Sequence, residues 1–361
     1  MKILELEGSP FDMGRAFGRA CGEDIHALYG LRLANALEQA QSYGGRRVDE
    51  GWILAAARRC LSIVQVFSPG GARELEGIAA GAALPLEKVW AMNALTDLRD
   101  VAAYAHPELG APAGESPEGE GCSSIVAPGE ELLLGQTWDL VTDNMPFVLV
   151  VHRKPAEGPE TLALTTTGCL SLIGINAHGV AVGTTNLRTT DARAGVGYLD
   201  VIHAALGQTS FEAAATMIRS APRAGAHYFY LGGADGRALA FEGSAARMHE
   251  HEVSDAPYVH CNHALYPEII ELEAEGMPVA STHHRHARLD ALARCGRIDS
   301  EKMRSFFTDA EGGPLAINRK GDGGISSNGS VVMSPSRRTL WAVHGPADEG
   351  RWVERTLPAL G

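Results

Sequence analysis

Apolar positions in the first hundred residues recur with helical spacing. Ser9-Pro10 is a start signal, with a serine cap and proline at the first helical position. From there Met13, Phe17 and Cys21 fall on one face, and Ile25, Leu28 and Leu31 extend it. A second periodic stretch covers 52–67 and stops at the breaker Ser68-Pro69-Gly70-Gly71. Segments 73–83 and 86–98 predict two further helices. The pattern then lapses. Residues 106–121, HPELGAPAGESPEGEG, are rich in Pro, Gly and Glu with almost nothing to bury, and predict an exposed, mobile connector.

Beyond it the period shortens to that of strands. Short apolar or β-branched runs bounded by turn residues lie at 123–127, 132–138, 147–153, 161–167, 171–175 and 180–184. Two helical segments follow, 198–206 and 210–220, and then a second strand set at 226–231, 238–242, 248–253 and 258–260. Helices at 284–293 and 300–309 lead to closing strands at 329–333 and 339–343. This order predicts an α+β fold, two sheets covered by helices on their outer faces. The expected organisation is a mostly helical segment 1–121, ending in the connector, and a segment 122–361 packed with it as one globular unit.

Composition narrows the function classes. With 361 residues, 45% of them hydrophobic and 21% charged, the chain can bury a sizeable core. Lys+Arg 31 against Asp+Glu 44 gives −13, with no basic stripe to displace counterions, so nucleic acid is not an expected partner. Glu5 and Glu7 interrupt the apolar N-terminus, and no run approaches the roughly 18 residues of a membrane span. A soluble, cytoplasmic protein without a membrane partner is expected. The six cysteines are scattered without a CxxC pair and read as reduced thiols, most of them small buried hydrophobes.

One of them, Cys122, has a different setting. It follows Gly121 where the connector meets the first strand of the β region. Cutting the 121–122 bond would free it as an N-terminus carrying nucleophile and base in one residue. An α-amine titrates near ~8 and a thiol near ~8.5, so one can take the other's proton. Gly121 puts no side chain on that bond and tolerates the strained backbone an N→S acyl shift demands. Asp139, in Gly135-Gln136-Thr137-Trp138-Asp139, returns beside Cys122 if the two strands pair antiparallel. Asn262, in His260-Cys261-Asn262-His263, offers a side-chain amide to a developing oxyanion. Arg285, in Ser281-Thr282-His283-His284-Arg285, can hold a carboxylate, that of Asp139 or one on a substrate.

In this order the four motifs resemble the acyl-CoA:6-aminopenicillanic acid acyltransferase (isopenicillin N acyltransferase) family of N-terminal-nucleophile hydrolases. Conjugated bile acid hydrolase and penicillin V acylase are its more distant relatives. Gly174-Ile175-Asn176, Gly179-Val180-Ala181-Val182 and the closing His344-Gly345-Pro346 extend the similarity. The resemblance implies a four-layer αββα sandwich and autocleavage between Gly121 and Cys122. It also implies a Cys122 nucleophile, an Asp139–Arg285 pair that orders the site, and an Asn262 oxyanion donor. Trp138, Thr185 and Asn186 become candidate substrate contacts, although Trp138 alone reads as a strand-packing aromatic. Ser123 stands where the penicillin enzyme has threonine, which keeps the hydroxyl.

The expected reaction is cleavage or transfer of an acyl group at a linear amide C–N bond through a Cys122 thioester. The substrate would be a small acyl amide or an acyl-CoA, and the two cleaved chains would stay associated. The alternative is an acyl-CoA-dependent N-acyltransferase using the same site; a silent binding protein and a zinc amidohydrolase rank lower. No cofactor is expected. No metal is expected either: His260 and Cys261 are strand neighbours on opposite faces, and no HExxH occurs. Gly232-Gly233-Ala234-Asp235-Gly236 separates two apolar runs and predicts a hairpin turn rather than a phosphate loop.

Overall fold

The structure, a computed structural model, describes residues 1–45, 47–104, 121–275 and 279–358. The connector read at 106–121 lies outside the described residues except for Gly121. Five helices open the chain after one strand: β1 (Lys2–Gly8), α1 (Pro10–Ala20), α2 (Gly22–Gly44), α3 (Glu50–Phe67), α4 (Pro69–Ala82) and α5 (Leu86–Tyr104). Ser9 caps α1 by accepting from the Asp12 N–H, which satisfies a donor the first turn leaves orphaned. Gly14 and Gly18 of α1 lie against Gly77 and Gly81 of α4. A Cβ at any of these four would meet backbone atoms of the facing helix at under 3 Å, so the two helices pack at backbone contact.

The β region follows as β2 (Gly121–Ala127), β3 (Leu133–Val141), β4 (Val148–Pro155), β5 (Thr161–Thr166), β6 (Ile173–Asn176) and β7 (Ala181–Asn186). Helices α6 (Tyr198–Leu206) and α7 (Phe211–Ser220) precede β8 (His227–Gly232), β9 (Ala238–Gly243), β10 (Met248–Glu252) and β11 (Tyr258–His260). Then come α8 (Pro267–Ile270), α9 (Val279–Ala293), α10 (Ser300–Phe306), β12 (Ile325–Ser334), β13 (Thr339–His344) and β14 (Val353–Thr356). The Gly232–Gly236 segment is the β8–β9 hairpin turn, with Gly236 at φ +86°.

Two sheets result. One has eight strands in the order β1-β4-β5-β6-β7-β8-β9-β10, the other six in the order β11-β2-β3-β12-β13-β14. Helices α1–α7 cover the first and α9 and α10 the second, so the layers run α, β, β, α. Strand alternation divides the residues of the six-stranded sheet between two cores. Val126, Leu134 and Trp138 face the eight-stranded sheet. Ile125, Leu133 and Val332 face Leu289, Met303 and Phe306 of α9 and α10. Gln136 ties the sheets together: Oε1 accepts from Thr184 N (3.1 Å) and Tyr230 Oη (3.0 Å), and Nε2 donates to Thr184 O.

Two strands were not expected. β1 and β14 are edge strands, each with one partner: β1 pairs parallel with β4 and β14 antiparallel with β13. Among the described residues no helix is long and apolar enough to cross a membrane.

Candidate active site

Strand register builds the first half of the site. β2 and β3 pair antiparallel with Gly121 opposite Asp139 and Cys122 opposite Trp138. Side chains of a directly opposed pair share a face. Cys122 and Trp138 therefore point between the sheets, and Asp139 points the other way, towards the layer of α9 and α10. The Cys122 thiol is buried, and burial pushes its pKa up to about 12, with the Asp139 charge adding to the shift and Arg285 opposing it. In the uninterrupted chain this sulfur is a protonated thiol at neutral pH.

The backbone of Cys122 is held from the second half of the site. Its N–H donates to Asn262 Oδ1 at 2.8 Å, and its carbonyl accepts from Arg285 Nη1. Arg285, rooted in α9 and 2% exposed, also donates to Ser123 Oγ (3.1 Å), Asn262 Oδ1 (2.9 Å) and Ser281 Oγ (3.1 Å). Asn262 sits just past β11, next to β2 in the sheet. Its Nδ2 donates to the Asn186 carbonyl at 2.9 Å and its N–H to Thr282 Oγ1 at 2.7 Å. Two donors on Oδ1 and an acceptor at Nδ2 fix the orientation of the amide, and one Nδ2 hydrogen stays uncommitted among the described residues.

Gly121 is needed for space rather than for conformation. It is not among the positive-φ glycines, so its backbone is one any residue could adopt. A Cβ there would come within 2.7 Å of Arg285 Nη2 and 3.1 Å of Asn262 Oδ1. The need for glycine here comes from steric closeness to the arginine and asparagine.

Asp139 is fully buried, and burial raises its carboxyl pKa while the Arg319 and Arg285 guanidinium groups oppose the rise. Its Oδ1 accepts from Ser327 Oγ at 2.7 Å, Arg319 Nε lies 3.9 Å from Oδ2, and Oδ2 has no hydrogen-bond partner among the described residues. The cation facing Asp139 is thus Arg319, whereas the hydrogen bonds of Arg285 go to Cys122, Ser123, Asn262 and Ser281. Arg319 also bonds Ser281 Oγ and so meets Arg285 through a shared partner.

Cys122, Trp138, Asp139, Asn262 and Arg285 line one pocket of about 130 Å³. Asn186 and Thr184 line it too; Thr185 does not. The Thr185 hydroxyl instead donates to the Cys261 carbonyl and pairs with His260 Nδ1 at 2.9 Å. His260 Nε2 is taken by Glu242 at 2.9 Å, and its ring stacks on Tyr228 at 3.9 Å. This buried network absorbs the histidine that invited a metal reading.

Residues 126–346 match the family described as acyl-coenzyme A:6-aminopenicillanic acid acyl-transferase. The chain belongs to this family. The match covers Asp139, Asn262, Arg285 and Arg319 and begins just after Cys122. Among solved structures the chain is similar to a mutant conjugated bile acid hydrolase from Clostridium perfringens, at 9% identity and TM-score 0.45, over 65% of this chain and 92% of that one. A second variant of that hydrolase aligns at 10% identity and TM-score 0.43, over 66% and 98%. Penicillin V acylase from Agrobacterium tumefaciens aligns at 11% identity and TM-score 0.39, over 65% and 86%. A search of curated protein sequences finds no match.

Sequence reasoning missed Arg319 and Ser327, the two side chains that face Asp139. Arg319 stands in an irregular stretch between α10 and β12, with no periodicity to single it out. Thr282 had a signal, since it lies inside the segment that supplied Arg285.

Proposed function

We propose that the chain is a self-processing cysteine enzyme acting on amide C–N bonds, with Cys122 as the nucleophile. The observation that carries this reading is the clamp on Cys122: Asn262 on its nitrogen, Arg285 on its carbonyl, and a pocket at its side. In self-cleavage Sγ attacks the Gly121 carbonyl carbon, the peptide C–N bond breaks, and the Cys122 nitrogen takes up a proton. Water then hydrolyses the thioester, leaving a carboxylate on Gly121 and a free Cys122 amine and thiol.

Cleavage changes the chemistry of the same atoms. The nitrogen that now donates to Asn262 Oδ1 at 2.8 Å becomes an amine able to accept the thiol proton. The thiolate attacks the substrate carbonyl, the uncommitted Asn262 Nδ2 hydrogen meets the oxyanion, and the ammonium protonates the departing amine. Water releases the acyl group. Asp139 and Arg319 act from the opposite face of β3 as positioning residues. Residues 1–121 stay bound after cleavage because β1 pairs with β4 and α1–α5 share the larger core. Six unpaired cysteines suit the reducing cytoplasm.

A second reading, transfer of the acyl group from a thioester to an amine, follows from the description of the matched family. The test is a panel of N-acyl amino acids, penicillins and acyl thioesters, with and without an acceptor amine. Cys122→Ala should abolish turnover, and an acyl adduct should be trapped on Cys122 of the wild type. Full turnover by Cys122→Ala would remove the reading.

A further inference from the structure

The pocket that holds Cys122 is cationic in a chain of net charge −13. Arg32, Arg99, Arg188 and Arg285 line it, and Asp139, whose carboxylate turns to Ser327 and Arg319, is the one acidic residue of the described lining. Three of these arginines have evident structural work. Arg285 clamps Cys122, Arg99 bonds Asp100 (2.8 Å) and Gln39 (2.9 Å), and Arg32 donates to Asn144 Oδ1, the Met92 carbonyl and Cys169 Sγ, each at 3.4 Å.

Arg188 has none. It is 4% exposed, and among the described residues no ion pair or hydrogen bond holds its guanidinium. Its Cζ lies 3.9 Å from the centre of the Tyr43 ring, so the plane is fixed from one side while its donors stay vacant. A buried arginine cannot shed its charge, and burying it unpaired is unfavourable. Such a group calls for an anion. Among the described residues, Asn186 Oδ1 in the same lining is also buried without a partner, as is Nδ1 of His227, whose Nε2 pairs with Asp97 Oδ1 at 3.0 Å.

We propose that Arg188, seated on Tyr43, is the binding site for a carboxylate carried by the substrate. This rests on the function proposed above and narrows it: the cleaved amide carries a free carboxylate on its amine half, as an N-acyl amino acid does, or on its acyl half. Arg188 lies two residues beyond Asn186, whose carbonyl holds Asn262. Both line the pocket that holds Cys122 and Asn262, so the carboxylate and the scissile bond belong to one molecule seated in that pocket. The planar fork takes a carboxylate through two parallel N–H···O bonds, and Tyr43 keeps it from turning away.

Binding and turnover are measured separately. Calorimetry on Cys122→Ala, the uncleaved form described here, uses two matched pairs: N-phenylacetylglycine against its primary amide, and N-benzylsuccinamate against N-benzylbutyramide. At least one carboxylate should bind tenfold or more tighter than its neutral partner, and which pair shows it assigns the carboxylate to the amine or the acyl half. Adding Arg188→Gln should abolish the preference, Arg188→Lys should keep part of it, and Tyr43→Leu should weaken it with the charge still present. In turnover, Arg188→Gln should lower kcat/KM for the carboxylates 10- to 100-fold more than for the neutral amides, chiefly through KM. Equal binding within both pairs, binding by none of the four, or a preference that survives Arg188→Gln in folded protein overturns the proposal. Preferred binding without turnover in the wild type would count against the Cys122 chemistry and leave the Arg188 site standing.

Discussion

Replacing Gly121 by alanine tests the geometry of the proposed cleavage site with a single carbon. The new Cβ would stand 2.7 Å from Arg285 Nη2 and 3.1 Å from both Arg285 Cζ and Asn262 Oδ1, all buried atoms. Contacts that short must open, and the guanidinium must shift away from the Cys122 carbonyl or from Asn262 Oδ1, to which it donates at 2.9 Å. A hydrogen bond to a charged group contributes about 1.5–3 kcal/mol. Losing one in the transition state slows self-cleavage about 10- to 100-fold, since ~1.4 kcal/mol is tenfold in rate. The ground state should lose about 1–3 kcal/mol from overpacking, read as a drop of several degrees in Tm. The assay is a time course of freshly made protein on denaturing gels, alongside thermal unfolding. Cleavage at the wild-type rate would refute the idea that Arg285 and Asn262 act on this bond.

Four further outcomes follow from the same structure. Arg319→Met removes the cation 3.9 Å from the buried Asp139 carboxylate and should cost about 3–5 kcal/mol with loss of activity; Asp139→Asn should lower activity while the fold persists, and combined with Arg319→Met it should restore much of the Tm. Because burial lifts the Cys122 thiol to about 12 in the uncleaved chain, iodoacetamide at pH 8 should label exposed Cys295 first in Gly121→Ala, but both cysteines in processed protein, as mapped by peptide mass. Burial raises Asp200 from 3.8 to about 7, against the Trp90 Nε1 and Gly197 N–H bonds that its Oδ2 accepts at 3.0 Å. The folded state therefore holds this proton between those pH values while the unfolded chain has released it, so the stabilisation present below pH 3.8 is lost as pH rises to about 7. Asp200→Asn keeps both bonds and should raise stability at pH 8 by about 2–4 kcal/mol with little change at pH 4, measured by urea unfolding at the two pH values. Asn262→Ala should slow turnover at least 100-fold through the oxyanion and amine contacts, measured as kcat on any amide the wild type hydrolyses; less than a threefold effect would exclude it from the reaction.

The strand periodicity was legible because most strands pair with near neighbours in the chain. β2 and β3 form a local antiparallel pair, and their register alone brings Asp139 opposite Gly121. What escaped notice is non-local. β1 alternates Leu4 and Leu6 with Glu5 and Glu7, a strand pattern, but it pairs with β4, far along the chain. The reach of Arg285 to Cys122 spans two elements, and the sequence offered its residue type but not its partners. Asp139 was legible as a carboxylate that strand pairing returns beside the cysteine, but alternation turns its side chain to the α9–α10 face, where it is buried and Arg319 meets it. The Arg188–Tyr43 stack joins the loop after β7 to the end of α2, two places without shared periodicity.

The central claim is that the nitrogen and sulfur of Cys122 work together once the chain is cut. Intact mass and N-terminal sequencing of fully active protein test it most directly. The account predicts two associated chains, residues 1–121 and 122–361, with the larger beginning at an unblocked Cys122. A single full-length species with undiminished turnover would contradict it.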